Sequence, residues 1–266
     1  MKIIFLLLIG WMFLHPAFAQ LNDNQPLSKM EGWNLAAQSI SLLINQNQCI
    51  PVSGLATKKI TFLSMGNEKL SVLEARLADY AEIKTFHLNK TETEDQITKI
   101  KNQLKTFDLV IFALHSLDEN QRMAFGFSKQ AGEMIRFLTD SFQTVVLLFG
   151  PPQALGELKG IEKATALIHS PSESDFHQDI SAQIIFGGMG ANGKLAEDIN
   201  DTFKKGMGIS SKGGIRFKFT FPEELHIHSG LLETRIDSIV ENGIREKAFP
   251  GCQVLAAKDG RIFFHK

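Results

Sequence analysis

Short runs of apolar residues recur along the first two thirds of the chain, and segments with helical spacing separate them. The run at 108–115 reads DLVIFALH and has six apolar residues in succession, rich in β-branched and aromatic types. Such a run, without polar alternation, is typical of a strand buried on both faces of a sheet. Burial on both faces requires helices above and below. We therefore interpret this run as the middle strand of a parallel sheet.

The flanking sequence predicts four further strands and five helices. The strands are predicted at 58–65, 82–88, 143–150 and 164–169, and the helices at 30–45, 70–80, 93–104, 126–140 and 173–186. Regular alternation of strand and helix favours βαβ units in a parallel sheet. Right-handed crossovers then favour a flavodoxin-like strand order. The predicted fold is α/β, with a doubly wound parallel sheet of about five strands spanning residues 20–205.

The pattern changes after residue 186, where glycine, serine and lysine become frequent. Residues 206–228 are predicted to be a linker. A helix follows at 229–247, which Ser229 could cap, and then a hairpin of strands 252–257 and 262–265 turning at Asp259-Gly260. A helix and a two-stranded hairpin do not form a stable domain alone. We expect residues 229–266 either to pack on the first domain or to be an incomplete α+β piece.

The first nineteen residues have the pattern of a secretory signal peptide. Lys2 gives a positive start, residues 3–14 are an apolar run, and Ala17-Phe18-Ala19 forms a cleavage site after Pro16. The alternative is a membrane anchor, but the run is short for a span of about 20 residues. We expect export to the periplasm or the cell exterior, with no membrane association after signal removal.

Charge and cysteine content limit the partners. Lys and Arg number 28 against 29 Asp and Glu, so there is no basic field that would indicate a nucleic-acid partner. A disulfide between Cys49 and Cys252 would be geometrically demanding, and the two are predicted to lie in different structural units. Buried core positions are the expected alternative for both.

A glycine-rich motif at 188–193, GMGANG, matches the dinucleotide-binding pattern G-x-G-x-x-G. That chemistry needs the motif after a strand and at the start of a helix, where the helix N-terminus meets the pyrophosphate. Here the motif follows a predicted helix, so we expect it to terminate that helix with glycine in the left-handed conformation. No cofactor is predicted.

Polar residues follow the last predicted strand. Glu173, Asp175 and His177 lie where ligands bind in doubly wound sheets. The sequence assigns no catalytic site, and these three residues are the candidates for a catalytic role. The alternative is that Ser172 or Ser174 caps a helix whose first turn favours acids. His115 and the adjacent Ser116 end the middle strand, but no G-x-S-x-G sequence accompanies them. His226 and His228 have metal-like spacing without a third ligand nearby, so no metal site is predicted.

Three segments resemble the C-terminal α/β domain of family-3 glycoside hydrolases. They are AQSISLLIN followed by IPV at 37–52, KKITFLS at 58–64, and IIFGG with GKL at 184–195. The resemblance spans about residues 32–198, and the family-3 module that it indicates is of the β-N-acetylglucosaminidase type. It implies carbohydrate or peptidoglycan fragments as partners. In that family the nucleophile is an Asp on a preceding barrel, which needs about 250 residues. We therefore expect that barrel to be absent here, or to be a separate partner domain.

Residues 221–266 resemble the opening helix and hairpin of β-lactamase-like serine hydrolases, through AFPGCQVLAAKDGR at 248–261. The nucleophile of that family lies in Ser-x-x-Lys, which occurs nowhere in this chain. The resulting hypothesis is an exported protein related to carbohydrate or cell-wall hydrolases and not catalytic as it stands. Alternatives are the N-terminal part of a serine hydrolase, or a module that binds a sugar or another partner.

Overall fold

A computed structural model describes residues 28–66, 72–89, 94–115 and 129–266. The predicted signal peptide at 1–19 and Ser116 lie outside these residues. The main sheet has six strands: β1 (Ser41–Asn45), β2 (Ile60–Met65), β3 (Ile83–Leu88), β4 (Leu109–Leu114), β5 (Gln143–Phe149) and β6 (Ala166–Ser170). Their order is β1-β6-β5-β4-β2-β3. The five strands from β2 to β6 are parallel in the flavodoxin-like order, which confirms the predicted fold.

The sixth strand corrects the sequence prediction of one helix over 30–45. Helix α1 covers only Lys29–Ser39, and Ser28 and Glu31 form a capping box at its start. The chain becomes extended at Ile40, and β1 then pairs antiparallel with β6. Leu42 and Leu43 are buried in the cores on opposite faces of the sheet, as successive strand residues are. A strand can thus bury both neighbours, whereas a helix with one apolar stripe would not.

Helices cover both faces of the main sheet. They are α2 (Val72–Ala78), α3 (Glu94–Leu104), α4 (Lys129–Ser141) and α5 (Asp175–Phe186). Helices α1, α2 and α5 pack on one face, where Ile111 of β4 points. Helices α3 and α4 pack on the other, where Phe112 points. All six residues of β4 are buried, as the middle strand requires.

A second, three-stranded sheet follows the α/β domain. It consists of β7 (Lys218–Phe219), β8 (Leu255–Lys258) and β9 (Arg261–His265) in the order β7-β9-β8, and helix α6 (Ser229–Arg245) precedes β8. The predicted hairpin turn is confirmed, because Asp259 and Gly260 both have positive φ, at 52° and 74°. The predicted helix is also confirmed, but its N-cap is His228, whose side chain accepts from the Leu231 N–H, and not Ser229.

The predicted linker, 206–228, lies along the α/β domain. Its backbone N–H groups at Ile209, Ser211 and Ile215 donate to carbonyls of Leu42, Ala191 and Gly187. Residues 214–221, which we call the strap, lead into the second sheet. Phe219 and Ile262 of that sheet are buried. Helix α6 has no buried residue. The hairpin therefore packs on the first domain, while α6 keeps an exposed apolar side.

Within the described ranges, no helix is long and apolar enough to cross a membrane.

Cys49 and Cys252 are free thiols, and Cys252 is exposed. The expectation of a buried core position is therefore wrong for Cys252, which lies in an extended segment before β8.

Candidate functional site

His115 lies at the carboxyl edge of the sheet, directly after β4. Its residue is 1% exposed, and its ring stacks on that of Phe149 at the end of β5, with centroids 5.0 Å apart and planes at 14°. In doubly wound sheets this edge, near the point where strand order reverses, is the usual ligand site. Here the reversal lies between β2 and β4, so His115 is beside it.

Glu173 reaches His115 from the loop between β6 and α5. The distance from His115 Nδ1 to Glu173 Oε1 is 3.1 Å, and the Glu173 side chain is 30% exposed. The Gln178 side chain donates to the Glu173 carbonyl at 2.8 Å, which fixes the loop. In the described part of the chain, His115 Nε2 is buried without a hydrogen-bond partner. An imidazole that donates from Nδ1 to a carboxylate leaves Nε2 as an acceptor.

His177 is held between two serine hydroxyls. Ser39 Oγ donates to the Ala36 carbonyl at 2.9 Å, so it accepts from His177 Nε2, which lies 3.1 Å away. Nδ1 of the same ring then accepts from Ser174 Oγ at 2.7 Å. Burial lowers the pKa of His177, which agrees with a neutral ring. Ser39 does not present its proton to this imidazole and is therefore not set up as a nucleophile.

The three predicted candidates lie on this edge but form no single constellation. Glu173 pairs with His115, while His177 pairs with the serines. Asp175 is exposed in the first turn of α5, and no side-chain hydrogen bond or ion pair of it is found among the described residues. The expected cap is present in position only: Ser174 is the N-cap, but its hydroxyl bonds His177 instead of the helix backbone.

A second histidine near this edge is structural. His169 of β6 donates from Nε2 to the Gly150 carbonyl at 2.9 Å. Burial lowers its pKa, despite that hydrogen bond. It ties the end of β6 to the end of β5. The structural role of His169 was not predicted from the sequence, because the residue is simply the last position of an apolar run.

The glycine motif has a packing role. Gly187 ends α5 in the left-handed conformation with φ 78°, one residue before the motif. A Cβ at Gly188 would overlap the Tyr80 hydroxyl and lie 2.8 Å from the Phe217 carbonyl oxygen. Cβ atoms at Gly190 and Gly193 would overlap the backbone carbonyls of Ser211 and Ile40. These glycines therefore allow close backbone packing against residues 211–217 and against Ile40, the residue before β1.

The histidines at 226 and 228 also have local explanations. His226 has φ 58° and ends the short 3₁₀ turn Pro222–Leu225, and His228 caps α6. In the described ranges no group of three or more His, Cys, Asp or Glu side chains could hold a metal ion.

The fold and this edge define a doubly wound α/β domain with an appended helix and hairpin. No protein-family model matches the chain, and no curated protein sequence matches it. Solved structures, in contrast, do match the fold of this chain. A family-3 glycoside hydrolase, the β-N-acetylglucosaminidase from Paenibacillus sp. str. FPU-7, matches with a TM-score of 0.50 and 12% identity, over 69% of this chain and 34% of that chain. A β-glucosidase from Listeria innocua in complex with isofagomine matches with a TM-score of 0.46 and 15% identity, over 66% of this chain and 29% of that chain.

The match to the β-N-acetylglucosaminidase confirms the predicted resemblance at the level of the fold. The chain spans about a third of the length of the solved structures it matches. The α/β region therefore has the fold of one part of a family-3 enzyme. The predicted resemblance of residues 221–266 to serine hydrolases has no counterpart among these matches.

Proposed function

We propose that this chain is an exported, saccharide-binding module of a glycosidase-related protein, and that it does not hydrolyse glycosidic bonds by itself. The observation that carries the proposal is the partly exposed Glu173 carboxylate, oriented by His115 at the carboxyl edge of the sheet. An oriented carboxylate can accept hydrogen bonds from sugar hydroxyls, and this edge is where such folds bind ligands. The glycosidase-related fold of the domain supports a carbohydrate ligand over other classes.

The arrangement of the candidate residues supports binding without turnover. Hydrolysis with retention needs two carboxylates about 5–5.5 Å apart across the scissile bond. Glu173 is engaged with His115, and Asp175 has no partner in the described residues that would fix its direction. Catalytic groups need such support to hold their geometry. A separate barrel domain could supply the missing carboxylate, with this module as its partner.

Isothermal calorimetry with N-acetylglucosamine disaccharide tests the proposal. We expect saturable binding that weakens by about tenfold in Glu173→Gln, since a hydrogen bond to a charged group contributes about 1.5–3 kcal/mol. Glu82→Gln, at an exposed site next to the amino end of β3 and so at the opposite edge of the sheet, is the matched control. Chromogenic N-acetylglucosaminide should not be turned over. No binding at millimolar sugar, or turnover abolished by a single substitution in this chain, would refute the proposal.

Export is tested separately. The signal-like pattern at 1–19 supports cleavage after Ala19. Mass spectrometry of protein from the bacterial periplasm or medium should find an N-terminus at Gln20. An intact N-terminus at Met1 on the mature protein would contradict export by this route.

A second candidate function is that residues 229–266 open a serine hydrolase domain. The observation that favours it is the exposed apolar side of α6, where Leu231 is 52% and Ile239 70% exposed. Such a face normally lies against a core. Labelling of the natural exported protein with a fluorescent penicillin tests this candidate. A covalent adduct supports it, and complete absence of labelling refutes it.

A further inference from the structure

A cavity of about 510 Å³ lies between the strap and the hairpin turn of β8 and β9. Its charged lining consists of Arg216, Lys218 and Arg261, with Asp259 on the turn. The cavity uses none of the residues of the carboxyl edge described above. It is formed where the second sheet meets the end of α5, because β7 pairs with β9 at its wall.

The cations outnumber the carboxylates that could neutralise them. Lys218 Nζ lies 2.8 Å from both carboxylate oxygens of Glu224, and Arg261 NH1 lies 3.6 Å from one of them. Burial opposes ionisation of Glu224, but hydrogen bonds from Lys218 and Thr220 and the nearby positive charges lower its pKa overall. Glu224 is therefore fully charged and already satisfied by Lys218. Arg261, with its side chain 39% exposed, makes this longer contact and no other side-chain ion pair or hydrogen bond within the described residues.

The second arginine also has free donors. Arg216 donates one hydrogen bond to the Phe186 carbonyl at the end of α5. Its other guanidinium N–H groups have no partner among the described residues, although a guanidinium carries five donors. Three positive side chains, Arg216, Lys218 and Arg261, stand against the two carboxylates of Glu224 and Asp259. The cavity therefore has an excess of positive charge. Paired guanidinium groups suit a carboxylate, which accepts two parallel hydrogen bonds.

The wall between the cations is apolar and held in place. The Phe217 residue is 55% exposed and Ile215 56%, both in the cavity lining. The Phe217 backbone is fixed because Tyr80 donates a 2.7 Å hydrogen bond to its carbonyl. An exposed aromatic ring on a fixed backbone offers a surface for the apolar face of a sugar ring.

A neighbouring cavity of about 350 Å³ shares Gly188 and Lys218 with the first, so the two are adjacent, and we call them together the groove. Its lining includes the amide side chains of Asn34, Gln38 and Asn192. All three residues are exposed, and their amides make no hydrogen bond in the described part of the chain. Each amide offers donors and an acceptor, which is the set that sugar hydroxyls require.

We propose that this groove binds an acidic saccharide, with its carboxylate on Arg216 and Arg261 and its hydroxyls on the amides of Asn34, Gln38 and Asn192. The Phe217 ring packs against a sugar face between the two arginines at one end of the groove and the amides at the other. The proposal goes beyond the binding of a neutral sugar at Glu173, and it assigns a second site with its own ligand class.

Calorimetry with a glucuronate-terminated disaccharide, and with the matching disaccharide that ends in glucose, tests the assignment. We expect the acidic sugar to bind at least about tenfold more tightly, since charge-assisted hydrogen bonds are the stronger kind. Arg261→Gln should remove that preference, and added salt should weaken it. Arg235→Gln on the exposed surface of α6 is the matched control and should keep the preference, and Glu173→Gln, measured alongside, removes the contribution of the carboxyl-edge site.

Three outcomes would overturn the proposal. They are equal affinity for the two disaccharides, an undiminished preference in Arg261→Gln, and competition by inorganic phosphate at the same concentration as the acidic sugar. The last would indicate a general anion site. Because Glu173→Gln is measured in the same series, failure of the groove and failure of the carboxyl-edge site give different patterns. Thermal melts of each variant show that the fold is retained.

Discussion

The side chain of Gln183 pairs with the backbone of Phe219 in both directions. Its Nε2 donates to the Phe219 carbonyl at 3.0 Å, and its Oε1 accepts from the Phe219 N–H at 2.9 Å. Gln183 is 0% exposed and belongs to α5, whereas Phe219 belongs to β7. An amide side chain thus replaces the neighbouring strand that β7 lacks on one side. This pair, together with the Arg76 guanidinium 3.7 Å above the Phe219 ring, attaches the second sheet to the α/β domain.

Replacing Gln183 with leucine should therefore destabilise the protein by about 2–6 kcal/mol, because two buried backbone groups lose their partners at about 1–3 kcal/mol each. Urea unfolding followed by circular dichroism measures this. Gln103→Leu, on the exposed surface of α3, is the control and should change little. If both variants unfold at the same urea concentration, Gln183 does not hold β7.

Gly188 is predicted to be intolerant of a methyl group. Gly188→Ala would place a Cβ against the Tyr80 hydroxyl and the Phe217 carbonyl, so the strap would have to move. We expect a loss of about 1–3 kcal/mol, as overpacking typically costs. Gly251→Ala is the matched control, since a Cβ there has no atom within 4 Å. A thermal melt of each variant decides the matter, and equal melting temperatures would contradict the close packing.

Sequence patterns predicted the parallel strands β2, β4, β5 and β6 well because each buries both faces within a few residues. Strand β4 occupies Leu109–Leu114, inside the predicted 108–115. They failed at β1, since its apolar residues also fit helical spacing and its partner β6 lies more than a hundred residues later. The pairing of β1 with β6 in the folded chain decides between a helix and a strand at this position. A local sequence pattern contains no information about that pairing.

The candidate site was predicted in position but not in pairing. Both His115 and Glu173 follow buried strands, so the sequence places them at one edge of the sheet. That they touch depends on the strand order, with β5 between β4 and β6, and on the Phe149 ring that supports His115. The docking role of Gln183 had no sequence signal, because a glutamine on a helix is usually exposed.

Two glycines in helices should respond to alanine with opposite signs. A methyl group added at Gly132 in α4 would have no atom within 4 Å, so Gly132→Ala should stabilise by about 0.5–1 kcal/mol through helix propensity. Gly243 in α6 faces the Phe249 ring, which an added Cβ would overlap. Gly243→Ala should therefore destabilise or displace that ring. Chemical denaturation of the two variants side by side checks the signs, and a stabilising Gly243→Ala would contradict the packing of Phe249.

The stability of the protein should fall as the solution becomes mildly acidic, because two histidines are held neutral in the fold. Burial lowers the pKa of both His169 and His177 from the usual value of 6.5. Between the lowered pKa and 6.5, the unfolded chain binds more protons than the folded one, so stability rises with pH across that interval. The contribution is complete above about pH 6.5 and is lost as the pH falls through the lowered pKa.

Urea midpoints measured from pH 8 to pH 5 in wild type and in His177→Gln test this linkage. Carboxylates also titrate near the acid end, so the informative quantity is the difference in slope between the two proteins. We expect the wild-type midpoint to fall more steeply below pH 6.5, since glutamine has no proton to gain. Gln103→Leu, an exposed substitution in α3 that removes no titratable group, should keep the wild-type slope. Parallel curves for wild type and His177→Gln would mean that the ring takes up its proton at the same pH in the folded and the unfolded state, so that burial does not hold it neutral. A protonated ring donates from both nitrogens, so Nδ1 would then donate to Ser174 Oγ instead of accepting from it.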